Sequence, residues 1–196
     1  DIAVIEKYYE NGHKKSKTKF VQDNKVYTSW YENGLKSEEV TFKNGKPDGL
    51  LTRWYENGQK KYECNYTDGK EDGIWREWYE NGQKKKEGKL KNDKKEGLWT
   101  EWYENGQKRS EGEYIEGKLN GPWISWYEDG QLKTTGQYED NRTIGRWKNW
   151  NENGILSSEQ NGKDSIISYY ENGQKSNEFI YKDDGKNITK WTEWYE

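Results

Sequence analysis

Residues 75–106 read WREWYENGQKKKEGKLKNDKKEGLWTEWYENG, and the phrase Trp-Tyr-Glu-Asn-Gly returns 24 residues after it first appears. The same phrase, with small changes, marks the whole chain. It stands as YYENG at 8–12, WYENG at 30–34, 54–58, 78–82 and 102–106, WYEDG at 126–130, WNENG at 150–154 and YYENG at 169–173, and it starts again as WYE at 194–196. From Gly12 the turn glycines follow at Gly34, Gly58, Gly82, Gly106, Gly130, Gly154 and Gly173, at intervals of 22, 24, 24, 24, 24, 24 and 19 residues. A fixed period of this size is the signature of an architecture built from one supersecondary unit. A second phrase recurs between these anchors, as GKEDGIW at 69–75, GKLNGPW at 117–123 and DKKEGLW at 93–99.

Asn-Gly between alternating segments is a strong hairpin signal, because a two-residue type I′ turn needs positive φ at both central positions. Placing that turn at Asn81-Gly82 pairs Glu80 with Gln83, Tyr79 with Lys84, Trp78 with Lys85, Glu77 with Lys86, Arg76 with Glu87 and Trp75 with Gly88. Opposite charges meet, a cation meets an indole and a large ring lies over a glycine. The same arithmetic gives Trp99/Gly112, Trp123/Gly136, Trp102/Arg109 and Trp126/Lys133. Strand alternation puts Trp75, Tyr79, Gly88 and Leu90 on one face and Ile74, Arg76, Trp78 and Lys85 on the other.

Aromatics on both faces suit a row of hairpins in which each ring packs on its copy one repeat away. The expected fold is therefore all-β, an elongated single-layer solenoid of about eight antiparallel hairpins of roughly 24 residues each, without helix. One repeat domain spans 1–196, with regular units at 30–154 and irregular ones at 155–196. The shortened 19-residue interval and the segment NGKDSII at 161–167 mark 155–190 as a distinct cap or docking end.

Composition agrees with such a ribbon. The 196 residues carry 33 Lys+Arg against 36 Asp+Glu, a net charge of -3 and only 29% hydrophobic residues, with a mean hydropathy of -1.54. Those averages match disordered chains, but 12 Trp, 16 Tyr and 3 Phe do not, since disordered chains are poor in aromatics. No run approaches the roughly 18 apolar residues of a membrane span. The balanced charge argues against nucleic acid as partner. A single Cys, Cys64, allows no internal disulfide and no cysteine metal set, and a single His, His13, leaves little for triad chemistry. The regularly spaced glutamates lack the asymmetric environment that a catalytic acid and base require. Asp183-Asp184-Gly185 is the nearest approach to a calcium ligand set and reads as a loop. No catalytic residue, cofactor or metal is expected.

The aromatic-Tyr-Glu-Asn-Gly turn followed by Glu-Gly and then Gly-Lys-x-x-Gly-x-Trp resembles the bacterial variant of the MORN (membrane occupation and recognition nexus) repeat, over essentially the whole chain. That resemblance implies a solenoid of β-hairpins with a scaffolding or binding role. It also implies contact with anionic phospholipid, or a toxin partner, because bacterial members are often labelled antitoxin components. The net charge and the glutamate columns oppose attachment to an anionic surface.

The leading expectation is a non-enzymatic scaffold binding another protein along its ribbon. Trp75, Trp99 and Trp123 are assigned to packing. Trp54, Trp78, Trp102 and Trp126, with Lys84 and Lys108, are the candidate partner-binding residues. Gly34, Gly58, Gly82, Gly106, Gly130, Gly154 and Gly173 are structural turn residues. Exposed terminal hairpins invite pairing into a homodimer. The absence of Met, even at position 1, fits either a processed or a trimmed chain, with export favoured over a cytoplasmic location, and the motif interrupted at Trp194 fits either further repeats or a degenerate last unit.

Overall fold

A computed structural model describes residues 2–182 and 186–195, and no helix occurs among them. The chain divides into two compact units, Asp1–Gly106 and Gln107–Glu196. The first unit contains β1 (Ile2–Tyr8), β2 (Lys14–Val21), β3 (Asn24–Trp30), β4 (Lys36–Lys43), β5 (Lys46–Trp54), β6 (Lys60–Thr67), β7 (Lys70–Trp78), β8 (Lys84–Lys91) and β9 (Lys94–Trp102). The second contains β10 (Lys108–Ile115), β11 (Lys118–Trp126), β12 (Leu132–Glu139), β13 (Arg142–Trp150), β14 (Leu156–Asn161), β15 (Ser165–Tyr169), β16 (Lys175–Tyr181) and β17 (Ile188–Glu193). Within each unit every strand pairs antiparallel with the next, so each is a meander of hairpins. The expected all-β hairpin repeat is what the chain forms.

The Asn-Gly turn is not of the expected type. At Asn81-Gly82 the Gly82 N–H donates to the Tyr79 carbonyl at 3.0 Å and the Tyr79 N–H to the Gln83 carbonyl at 2.9 Å. Gly82 has φ 83, while Asn81 is not among the residues with positive φ. This is a three-residue loop, Glu80-Asn81-Gly82, with the glycine in the left-handed region, and not a two-residue type I′ turn. Type I′ geometry appears at the other end of the hairpins. Lys91 pairs with Lys94 across Asn92 (φ 50) and Asp93 (φ 66), and Thr67 pairs with Lys70 across Asp68 (φ 50) and Gly69 (φ 85).

The extra loop residue is compensated at once. Trp78 pairs with Lys84, but Glu77 pairs with Lys86, so Lys85 bulges out. Below the bulge Glu77/Lys86, Arg76/Glu87 and Trp75/Gly88 stand as expected, whereas Trp78/Lys85, Tyr79/Lys84 and Glu80/Gln83 do not. Bulging redirects one side chain while leaving the rest of the strand in place. Lys61 and Lys133 are bulged in the same way.

A second irregularity explains the Gly-x-Trp phrase. Glu87 pairs with Thr100, but Lys89 pairs with Glu96, so β9 carries two residues more than its partner. Gly97 has φ 67 there, and the corresponding Gly73 and Gly121 have φ 129 and 112. Those angles suit a residue without Cβ. In the shortened interval β14 and β15 pair without any shift, so the five missing residues include the bulge. Strands β14, β15 and β16 thus continue the meander through 155–181. Asp183-Asp184-Gly185 lies outside the described residues.

The buried apolar positions of unit 1 are Val40, Leu51, Cys64, Leu90 and Trp99. Cys64 pairs with Trp75, and Trp75 with Gly88, so they share one face of the sheet. Tyr62 meets Trp75 edge-on at 5.5 Å, and Trp75 meets Trp99 at 5.4 Å with 42° between planes. In unit 2 Tyr138 lies 6.0 Å from Trp123 and 5.0 Å from Trp147. The glycines are needed by the following strand. A Cβ on Gly88 would stand 2.2 Å from Trp99, and one on Gly136 would stand 2.2 Å from Trp147. The ring over Gly88 is therefore that of Trp99, although Trp75 is its backbone partner.

Candidate functional site

The Asn-Gly edge is held together by side chains that reach one repeat forward. The Tyr79 hydroxyl donates to the Trp102 carbonyl at 2.8 Å, as Tyr55 does to Trp78 at 2.8 Å, Tyr31 to Trp54 at 2.6 Å and Tyr127 to Trp150 at 2.7 Å. Asn81 works in two directions. Its Oδ1 accepts the Gln83 N–H at 2.9 Å, and its Nδ2 donates to the Glu104 carbonyl at 2.9 Å. Asp129 cannot donate, and there Gln131 takes over, with its Nε2 donating to Asp129 at 2.8 Å and to the Glu152 carbonyl at 3.0 Å. His13 replaces the glutamine of the first turn, with its Nδ1 2.6 Å from the Glu32 carbonyl.

The candidate tryptophans are held by cations, but from the preceding hairpin. Lys36 lies over Trp54 at 5.6 Å, Lys60 over Trp78 at 5.7 Å, Lys84 over Trp102 at 5.6 Å and Lys108 over Trp126 at 5.8 Å. In place of the expected contacts of Trp78 with Lys85 and Trp126 with Lys133, bulging turns those lysines onto tyrosines. Lys85 lies 5.7 Å from the Tyr79 ring and Lys133 lies 5.1 Å from the Tyr127 ring. The structure thus brings Trp102 and Trp126 together with the candidate lysines Lys84 and Lys108, and Trp54 and Trp78 with the equivalent Lys36 and Lys60.

Each column lysine also holds a carboxylate three residues on. Lys84 meets Glu87 at 3.0 Å and Lys108 meets Glu111 at 2.5 Å. Glu87 in turn binds Arg76 Nε at 2.6 Å, and Arg76 reaches Glu63 at 3.3 Å, which Lys60 also binds. The result is a ladder running across β6, β7 and β8 on the face that carries Trp78. Burial works against the Glu87 charge, but its hydrogen bonds with Arg76 and Lys84 prevail and hold the carboxyl below the usual range. The Glu87 hydrogen bond raises the Arg76 guanidinium further. Intra-hairpin arithmetic cannot reveal this ladder, because its links cross from one hairpin to the next.

The polar groups of the opposite face are buried rather than poised. The Cys64 thiol is fully buried and burial pushes it up to about 12, the reverse of a reactive cysteine. Beside it, Tyr62 and Tyr66 both donate to Glu71. Burial first, and then the Glu71 hydrogen bond, raises the Tyr62 hydroxyl. By contrast the column at the turn edge is open, and Tyr31, Tyr55, Glu56, Asn57, Lys61 and Glu80 line a shallow groove of about 430 Å³.

The MORN repeat variant, as a family model, matches the chain five times in succession, over 47–68, 71–92, 95–116, 119–140 and 144–164. No curated protein matches the chain. Among solved structures, a crystal structure of TarM is 17% identical with a TM-score of 0.32, covering 47% of this chain and 20% of that one. A mutant of S. aureus TarM in complex with fondaparinux, alpha-GlcNAc-glycerol and UDP is 16% identical with the same TM-score, covering 47% and 21%. The chain spans about a fifth of the length of these structures.

Proposed function

Since the chain belongs to the MORN repeat variant family, whose repeat matches more than half of its length, we propose that it is a non-enzymatic scaffold that binds another protein along its repeats. The observation that carries this reading is the forward stitching at the turns that open with Tyr. Tyr79 and Asn81 anchor to the main chain of the next turn, and Lys84 caps the Trp of the next repeat. Outward side chains are thereby held at a constant interval on a stiff support, which lowers the ordering cost of binding an extended partner.

The same stitching bears on the lipid alternative. Lys84 and Lys108 already engage a carboxylate and an indole, so they offer anionic headgroups little unpaired charge. Sedimentation with anionic vesicles at low and high salt separates the two readings. The scaffold reading expects no salt-sensitive sedimentation, together with saturable capture of a protein from the native cell by the immobilised chain. Salt-sensitive vesicle binding without protein capture would replace it with the lipid module.

A further inference from the structure

Building on the scaffold reading, we propose that unit 1 binds an acidic peptide in polyproline II conformation, laid across its strands with an apolar side chain at every third residue. Four residues before each Trp or Tyr that opens the turn phrase stand Val4, Val26, Leu50, Ile74 and Leu98. Four of these are strongly exposed, Val4 at 47%, Leu50 at 46%, Ile74 at 46% and Leu98 at 52%. No packing role accounts for aliphatic side chains held open in successive repeats of so polar a chain. In unit 2 the equivalent positions are Pro122, Arg146 and Ser165, so the aliphatic row belongs to unit 1.

Pairing places the row on every second strand of unit 1. Val4 stands opposite Lys19, Lys19 opposite Val26 and Val26 opposite Thr41, while Leu50 stands opposite Asn65 and Ile74 opposite Lys89. From β1 to β3 aliphatic and polar side chains therefore alternate directly, whereas Leu50, Ile74 and Leu98 lie in the bulges of β5, β7 and β9, outside the direct pairing with the strand before. Two strand spacings separate successive aliphatics, about 9.5 Å. Three residues of polyproline II advance about 9.3 Å and complete one turn, so every third side chain returns to the same side at the same interval. A fully extended strand returns to one side every second residue, about 6.7 Å, and an α-helix every turn, about 5.4 Å, or about 10.8 Å for two turns, so both drift out of step with the row.

Charge decides the rest of the occupant. Lys19 and Lys89, the cations standing between aliphatics, hold no ion pair among the described residues. The nearby carboxylates Glu39, Glu63 and Glu87 are each bound to a Lys or Arg, and Glu96, opposite Lys89 in the pairing, is itself engaged. An acidic residue between the apolar positions of the ligand complements these free ammonium groups. The surface is concave where it matters, with Ile74, Gly88, Lys89, Glu96, Gly97 and Leu98 among the residues lining a groove of about 490 Å³.

The test is fluorescence anisotropy of the full chain with a labelled peptide of five Leu-Pro-Glu triplets. Controls are the same residues reordered so that leucine does not recur every third position, a Leu-Pro-Lys version, and a helical peptide with heptad-spaced leucines. The triplet peptide should bind saturably, and Ile74→Asp, or Leu98→Ser should the first variant not fold, should weaken it about tenfold or more. Lys89→Glu should weaken the Glu peptide and strengthen the Lys one. Equal binding of the reordered or helical peptide, indifference of a folded Ile74→Asp variant, or no binding at all would overturn the assignment. If peptides fail while the chain still captures a protein partner, the scaffold reading stands and only this surface is lost.

Discussion

A methyl carbon placed on Gly88 would stand 2.2 Å from Cδ2 of Trp99, so the glycine and the indole occupy one shared space on adjacent strands. The preceding repeats fill that space differently. Cys64 pairs with Trp75, and Val40 pairs with Leu51, both members of the latter pair being buried. At Val40/Leu51 bulk is moved from one strand to the other.

Gly88→Ala should accordingly destabilise unit 1 by about 1–3 kcal/mol through overpacking. Gly88→Val combined with Trp99→Leu copies Val40/Leu51 and should recover most of the loss. Urea denaturation of the two single variants and the double variant measures the coupling. A double variant as unstable as the sum of the singles would show that the shared space is not what constrains Gly88.

At the turn edge, Asn81→Ala removes both an acceptor and a donor and should cost about 1–2 kcal/mol. Asn81→Asp keeps the acceptor, and Gln83 can then reach forward as Gln131 does beside Asp129. Its cost should stay within about 0.5 kcal/mol. Thermal unfolding of the two variants side by side distinguishes them, and equal losses would contradict the double role of Asn81.

The two turn types respond to opposite substitutions. Gly82→Val forces a β-branched residue to φ 83 and should cost more than about 1 kcal/mol. Glu116 already sits at φ 49 in a type I′ turn, so Glu116→Asn should stabilise by about 0.5–1 kcal/mol. A destabilised Glu116→Asn variant, measured by chemical denaturation, would count against that geometry.

Cys64 should resist alkylation at pH 8 in the native protein and react promptly in denaturant, because its thiol is buried and pushed up to about 12 from an ordinary value of 9.0. The sign of the pH effect follows. Between those values the unfolded thiol ionises while the folded one stays neutral, so stability present below pH 9 is lost as pH rises towards 12. Cys64→Ala should flatten that alkaline loss. Rapid native labelling at pH 8 would show the site to be open.

The period, the hairpins and the inner pairings of Trp75, Arg76 and Glu77 are legible in the sequence, because Gly and alternating charge impose them locally. The loop type is not, and the reason is arithmetical. A three-residue loop followed by a one-residue bulge at Lys85 returns the strands to the register of a two-residue turn. The candidate Trp54, Trp78, Trp102 and Trp126 were separable from solvent only through contacts between successive hairpins. Lys84 over Trp102 spans 18 positions and leaves no mark within one repeat. The aliphatic positions at Leu50, Ile74 and Leu98 are plain in the sequence once aligned, yet their exposure is not.

The bulge at Gly97 and Leu98 inserts an even number of residues into its strand. Inside therefore stays inside whether a copy keeps the bulge or lacks it, as β15 does. Insertions and deletions of this kind are silent to the interior, so repeats of different length can be shuffled along one gene while the aromatic face remains continuous. An odd insertion at the same place would turn every later side chain over, which makes parity, more than length, the property that such a tandem array has to inherit.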